Sequence, residues 1–118
     1  MTTPPGGLAY LGAAEALDLF RARELSPVEL LQAQIERTRQ VNGVVNALTE
    51  DLFEQALVEA REAEVLYRSG RDLPPLLGLP VATKEKHAIA GRTLSQGLMA
   101  CQSDVAAADH PVVSALRR

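Results

Sequence analysis

The sequence predicts an α/β fold, and within that class a flank of a larger domain rather than a closed one. Three amphipathic helical patterns each carry an apolar stripe that needs cover. Two short stretches, 44–50 and 78–83, are the strands available to cover them. In the second, GLPVAT, Leu79 to Ala82 runs without a polar residue, the pattern of a strand buried on both faces between neighbours. Two strands cannot supply those neighbours. A small helical domain with a hairpin-like strand pair is the alternative.

Residues 1–10, beginning MTTPPGG, read as a flexible lead-in rich in Pro and Gly. Residues 11–118 then form one continuous portion. From Leu11 to Arg23, Ala13, Leu17 and Phe20 fall at helical spacing. The next helix has the strongest start signal, LSPVEL. Ser26 can cap it, Pro27 suits the first helical position, and Glu29 completes a capping box. Val28, Leu31 and Ile35 make its stripe, and Asn42-Gly43 is the expected stop. VVNALTE, 44–50, reads as the first strand. A helix from about Asp51 to Arg68 follows, with Phe53, Leu57, Ala60 and Tyr67 on one face and Ser69-Gly70 at its end.

RDLPPLLG reads as a loop, because its prolines continue neither element. Gly78 to Thr83 is the second strand, with Pro80 near its start, where a missing N–H is tolerated. Residues 85–108 show no period and read as a long excursion. DHPVVSALRR opens a last helix, with Asp109 as cap and Pro111 in the first turn.

Composition narrows the function. The 118 residues are 47% apolar and 23% charged, which suits a globular core. Without Trp, and with two Tyr and two Phe, there is no aromatic platform for stacking bases. A net charge of −3 gives no basic field for a phosphate backbone, so no nucleic-acid partner is expected. Cys101 is the single cysteine, which excludes an internal disulfide and a multi-thiolate metal site. No window approaches a membrane span and the N-terminus has no signal-peptide pattern, so the cytoplasm is the expected compartment.

The chemistry-bearing stretch is TKEKHAIAGRTLSQG. Lys84 follows the apolar run directly. It is either a strand-end lysine reaching solvent or a base held in a site that favours its neutral form. The distinction matters, because an ordinary lysine in water is neutral in about four molecules in ten thousand at pH 7. Glu85 is an ion-pair candidate for it. His87 has no second ligand at metal spacing, so no metal is expected. AGRTLSQG offers backbone N–H groups and hydroxyls but matches no phosphate-binding fingerprint. Ser95 has no base beside it in sequence, and Cys101 reads as a small, partly buried residue.

GLPVATKE, AGRTLSQG and DHPVVSALR, in that order, resemble the N-terminal part of the amidase signature family. ELSPVELLQAQIERTRQVNGVVNAL is similar to that family's second helix and the turn after it, so the likeness runs from about Leu8 to Arg118. It implies an amidase-type α/β/α sandwich of which this chain is the N-terminal flank, with three to four helices and two strands. It also implies hydrolysis of a carboxamide through an acyl-enzyme, with no metal or organic cofactor. Lys84 matches the lysine of the family's Ser–cis-Ser–Lys triad, where a neutral lysine draws a proton through the middle serine from the nucleophile.

Three departures stand out. No Gly/Ser-rich segment with the two serines occurs in these residues, Glu85 replaces the usual Asp, and Leu98 stands where a small hydroxyl residue is usual. The expectation is therefore a truncated amidase carrying Lys84 and inactive alone, whose parent takes a small-molecule amide. A homo-oligomer or a partner subunit is compatible with it. Two alternatives remain, a glutaminase-like subunit of a tRNA-dependent amidotransferase and a non-enzymatic interaction fragment.

Overall fold

A computed structural model describes residues 7–118. The chain divides at Pro80 into two compact units. Of the expected lead-in, residues 1–6 lie outside the described part. Leu8–Tyr10 form a 3-10 turn, and Leu8 packs on the first core.

In the first unit, α1 (Ala13–Ala22) buries Ala16, Leu17 and Phe20 and ends at Arg23 in the left-handed region. The start of α2 (Pro27–Val45) is the capping box read from the sequence. Ser26 Oγ accepts the Val28 N–H at 3.0 Å, and Glu29 accepts the Ser26 N–H at 2.9 Å. Replacing Ser26 by Ala should cost about 1 kcal/mol. Urea unfolding of the 118-residue chain measures it, and an unchanged midpoint would show that the cap carries no stability.

Asn42-Gly43 does not stop α2, contrary to expectation, and the strand predicted over 44–50 does not form. The helix runs on to Val45, and Asn46 takes the left-handed cap at φ 50°. Asn42 acts from inside the last turn. Its Oδ1 accepts the Ala47 and Leu48 N–H groups, each at 2.9 Å, and its Nδ2 donates to the Leu48 carbonyl. The Ala47 and Leu48 groups that a strand would offer to a neighbour are thus satisfied locally.

From Phe53 to Ser69 runs α3, which ends at Gly70 in the left-handed region. It presents Phe53, Ala56, Leu57 and Ala60 to Val28, Leu31 and Ile35 of α2. A second cluster joins Leu11, Ala16, Leu17, Phe20, Leu25, Leu30 and Tyr67. The Phe20 and Tyr67 rings meet tilted, 5.7 Å apart. The segment after α3 folds back over this cluster with Leu73, Leu77 and Leu79. Tyr67 donates its hydroxyl hydrogen to the Leu77 carbonyl at 2.9 Å.

The strand predicted over 78–83 is also absent. Leu77 and Leu79 donate their N–H groups to the carbonyls of Pro74 and Leu76, three residues back, so a pair of turns leads into the run and residues 79–83 follow as irregular backbone. Pro80 has no N–H to offer, and Val81 is 57% exposed rather than buried on two faces. A strand needs an edge to pair with. Among the described residues none lies beside this one, and those residues are helix-rich with a single isolated bridge as their β pairing.

The second unit, 81–118, is built on a hairpin-like return. Gly91 donates to Ala106, Ala106 to Arg92 and Leu94 to Asp104, flanking an antiparallel bridge between Thr93 and Val105. The region expected to be an excursion is therefore ordered by backbone pairing around buried Ala106 and Val113. A second 3-10 turn spans Met99–Cys101, and α4 runs Pro111–Leu116. The cap of α4 is His110, whose Nδ1 accepts the Val112 N–H at 3.2 Å, not the expected Asp109. Asp109 is engaged elsewhere, accepting the Ala90 N–H and pairing with Arg117. No helix among the described residues is long and apolar enough to cross a membrane.

Candidate active site

The second unit carries every residue of the chemistry-bearing stretch. Lys84 lies exposed on irregular backbone, at the head of a turn in which its carbonyl accepts the His87 N–H at 2.8 Å. It does not end a strand.

Glu85 does not pair with Lys84. Its carboxylate turns to the loop ten residues on, where it accepts the Ser95 N–H at 2.6 Å and the Ser95 hydroxyl at 3.3 Å. The Ser95 N–H, then the Ser95 hydroxyl and the Gln96 N–H, hold this carboxyl below its ordinary value, against a smaller opposing effect of desolvation. Directional N–H donors in a preset loop outcompete a flexible ammonium that is equally well solvated by water.

Ser95 is accordingly committed on both sides, donating to Glu85 and accepting the Gly97 N–H at 3.2 Å. A hydroxyl held by a carboxylate of lowered pKa faces a poor base, which argues against Ser95 as a nucleophile. Gln96 and Gly97 both have positive φ, 50° and 78°, so the clamp spans a tight reversal of the chain.

His87 packs against His110, ring centroids 4.9 Å apart and near perpendicular. Among the described residues no three His, Cys, Asp or Glu side chains gather in a way that could hold a metal ion. The Cys101 thiol is pushed up from its ordinary value by Asp104 and then by burial. That disfavours the thiolate a nucleophile would need. Adjacent residues gave no sign of the Glu85–Ser95 contact or the histidine pair, since both join residues ten or more apart. The available signal was the short hydroxyl residue ahead of a glycine, which suits a turn able to dock on a carboxylate.

Two clefts, of about 310 and 320 Å³, lie in the first unit. The first is lined by Thr38, Asn42, Leu48 and Phe53 among others, the second by Phe20, Ser26, Glu64 and Tyr67 among others. Neither includes a residue of the Lys84 stretch.

Comparison with known proteins supplies the context. A family model described as Amidase matches residues 29–118. Fatty-acid amide hydrolase 2-A of Danio rerio is 36% identical over 94% of this chain and 22% of its own length. Indoleacetamide hydrolase of Bradyrhizobium diazoefficiens is 32% identical over 98% of this chain and likewise 22% of its own. A glutamyl-tRNA(Gln) amidotransferase subunit of Moorella thermoacetica is 41% identical over 66% of this chain and 16% of its own length. The chain thus spans about a fifth of the length of the first two relatives.

Proposed function

The chain belongs to the amidase family, and on that premise we propose that it is the N-terminal part of a hydrolase acting on carboxamide C–N bonds, with Lys84 as the catalytic base. The observation that carries the reading is the position of Lys84 in GLPVATKE, inside the matched residues 29–118. The parent's α/β/α sandwich supplies the strands that 44–50 and 78–83 lack here, and it buries Lys84 among serines that favour the neutral amine.

In the reaction, neutral Lys84 takes the proton of the middle serine as that serine takes the proton of the nucleophile. The nucleophile's oxygen bonds to the amide carbon, and N–H donors hold the developing oxyanion. The C–N bond breaks, the proton leaves with the amine or ammonia, and water cleaves the acyl-serine to the acid. The serines are not among these 118 residues, so the chain alone is expected to release no ammonia from any amide.

The test uses the gene product purified from its source, its intact mass recorded, with oleamide and indole-3-acetamide as probes. Ammonia release, and hydroxamate formation when hydroxylamine competes with water, support an acyl-enzyme hydrolase. Turnover by the pure 118-residue chain, abolished in Lys84→Ala, would overturn the division of the triad proposed here.

The 41% identity to the amidotransferase subunit favours a second reading, a glutaminase-like subunit that hands ammonia to a partner. Glutamine hydrolysis that depends on a co-purifying subunit distinguishes it from the first.

A further inference from the structure

A lysine base followed at once by a carboxylate poses a chemical conflict. A carboxylate bound to an ammonium stabilises the charged form, which cannot accept a proton. The arrangement of residues 84–97 avoids this. Glu85 is turned onto the Ser95 N–H at 2.6 Å and the Ser95 hydroxyl at 3.3 Å, and Ser95 Oγ in turn accepts the Gly97 N–H at 3.2 Å. On the other side of the pair, the Lys84 carbonyl accepts the His87 N–H at 2.8 Å. The peptide joining Lys84 to Glu85 is therefore held from both ends, by a turn at one and by a side-chain clamp at the other.

We propose that Glu85 is a positioning residue. By clamping the Ser95–Gly97 turn it fixes the backbone that presents Lys84, and it keeps its own carboxylate away from the amine. The proposal rests on the reading of Lys84 as the base. It assigns Glu85 no contact with substrate. Because the clamp acts on where the base sits, its loss falls on kcat more than on KM.

The clamp has its own pH signature. Glu85 is held below its ordinary value in the folded chain by the Ser95 and Gln96 donors. Its contribution is therefore complete above the ordinary carboxylate range and is lost as pH falls through the lowered value. In the 118-residue chain, the Ser95 and Gln96 amide resonances should shift together with a midpoint below that of an ordinary glutamate. Glu85→Gln should abolish the transition. Amides that titrate at the ordinary carboxylate value, or not at all, would overturn the clamp.

The catalytic arm uses the source-made gene product with oleamide. Glu85→Gln should lower kcat about tenfold with KM within about twofold, since one amide oxygen replaces two carboxylate acceptors. Glu85→Asp, which keeps the charge, should recover most of the loss. Wild-type kcat in Glu85→Gln, alongside a dead Lys84→Ala, would sink the positioning role and leave the reading of Lys84 standing. Full activity in Lys84→Ala would remove the reading itself, and the role with it.

Discussion

Lys84→Ala is expected to lower amide hydrolysis by the source-made gene product by roughly four orders of magnitude or more, the scale seen when one member of a nucleophile–base set is removed. The serines would remain, but no group would accept their proton at neutral pH, and an un-ionised hydroxyl is a weak nucleophile. Lys84→Arg should be as inactive, because a guanidinium does not give up its proton in a protein. Neither change should touch the stability of the 118-residue chain. Lys84 is exposed here and contributes nothing to either hydrophobic cluster, and surface substitutions of that kind usually stay within about 0.5 kcal/mol. Loss of turnover with an unchanged unfolding midpoint therefore separates chemistry from folding. Activity within tenfold of wild type in both variants would show that the lysine is rim decoration.

What residues reveal and what they conceal divides along the range of the interaction. The start of α2 is legible because Ser26, Pro27 and Glu29 act on amides within three residues of one another. The end of α3 at Gly70 is legible for the same reason. The end of α2 is not, since Asn42 signals a stop by its type yet sits in the last turn and ties down Ala47 and Leu48 instead. The strands expected over 44–50 and 78–83 follow from residue type, in the second case an apolar run, but residue type states a preference and not the presence of an edge to pair with. In these residues the first stretch gives its Ala47 and Leu48 N–H groups to Asn42, and the second is entered through a turn that takes the Leu79 N–H. Lys84 stands out through its motif and not through its packing, since it lies exposed on irregular backbone. Glu85 reads wrongly as its ion-pair partner, because nothing in adjacent residues tells which way a carboxylate turns.

Gly78→Ala should destabilise the first unit by about 2–4 kcal/mol, the largest effect expected of any single methyl here. Two costs coincide at this position. Gly78 has φ +82° in the third position of the turn closed by Leu76 and Leu79, a conformation that costs an L-residue about 1 kcal/mol or more. A Cβ built there would lie 2.8 Å from Pro27 Cγ and 3.0 Å from Pro27 Cβ, with Ala63 Cβ at 3.5 Å. Pro27 cannot yield by a rotamer change: it is a closed ring, fully buried, at the first position of α2. Relief must come from the backbone of the return segment, which carries Leu77 and Leu79 on the core and the carbonyl that Tyr67 holds. Gly70→Ala is the control. It has φ +69°, but nothing lies within 4 Å of an added Cβ, so it should lose the conformational part alone, about 1 kcal/mol. Urea unfolding of the two variants side by side gives the difference, which is the packing of the return segment against Pro27. Equal midpoints would mean that this segment is not seated on the helices in solution, and that the first unit ends at Gly70 instead of Pro80.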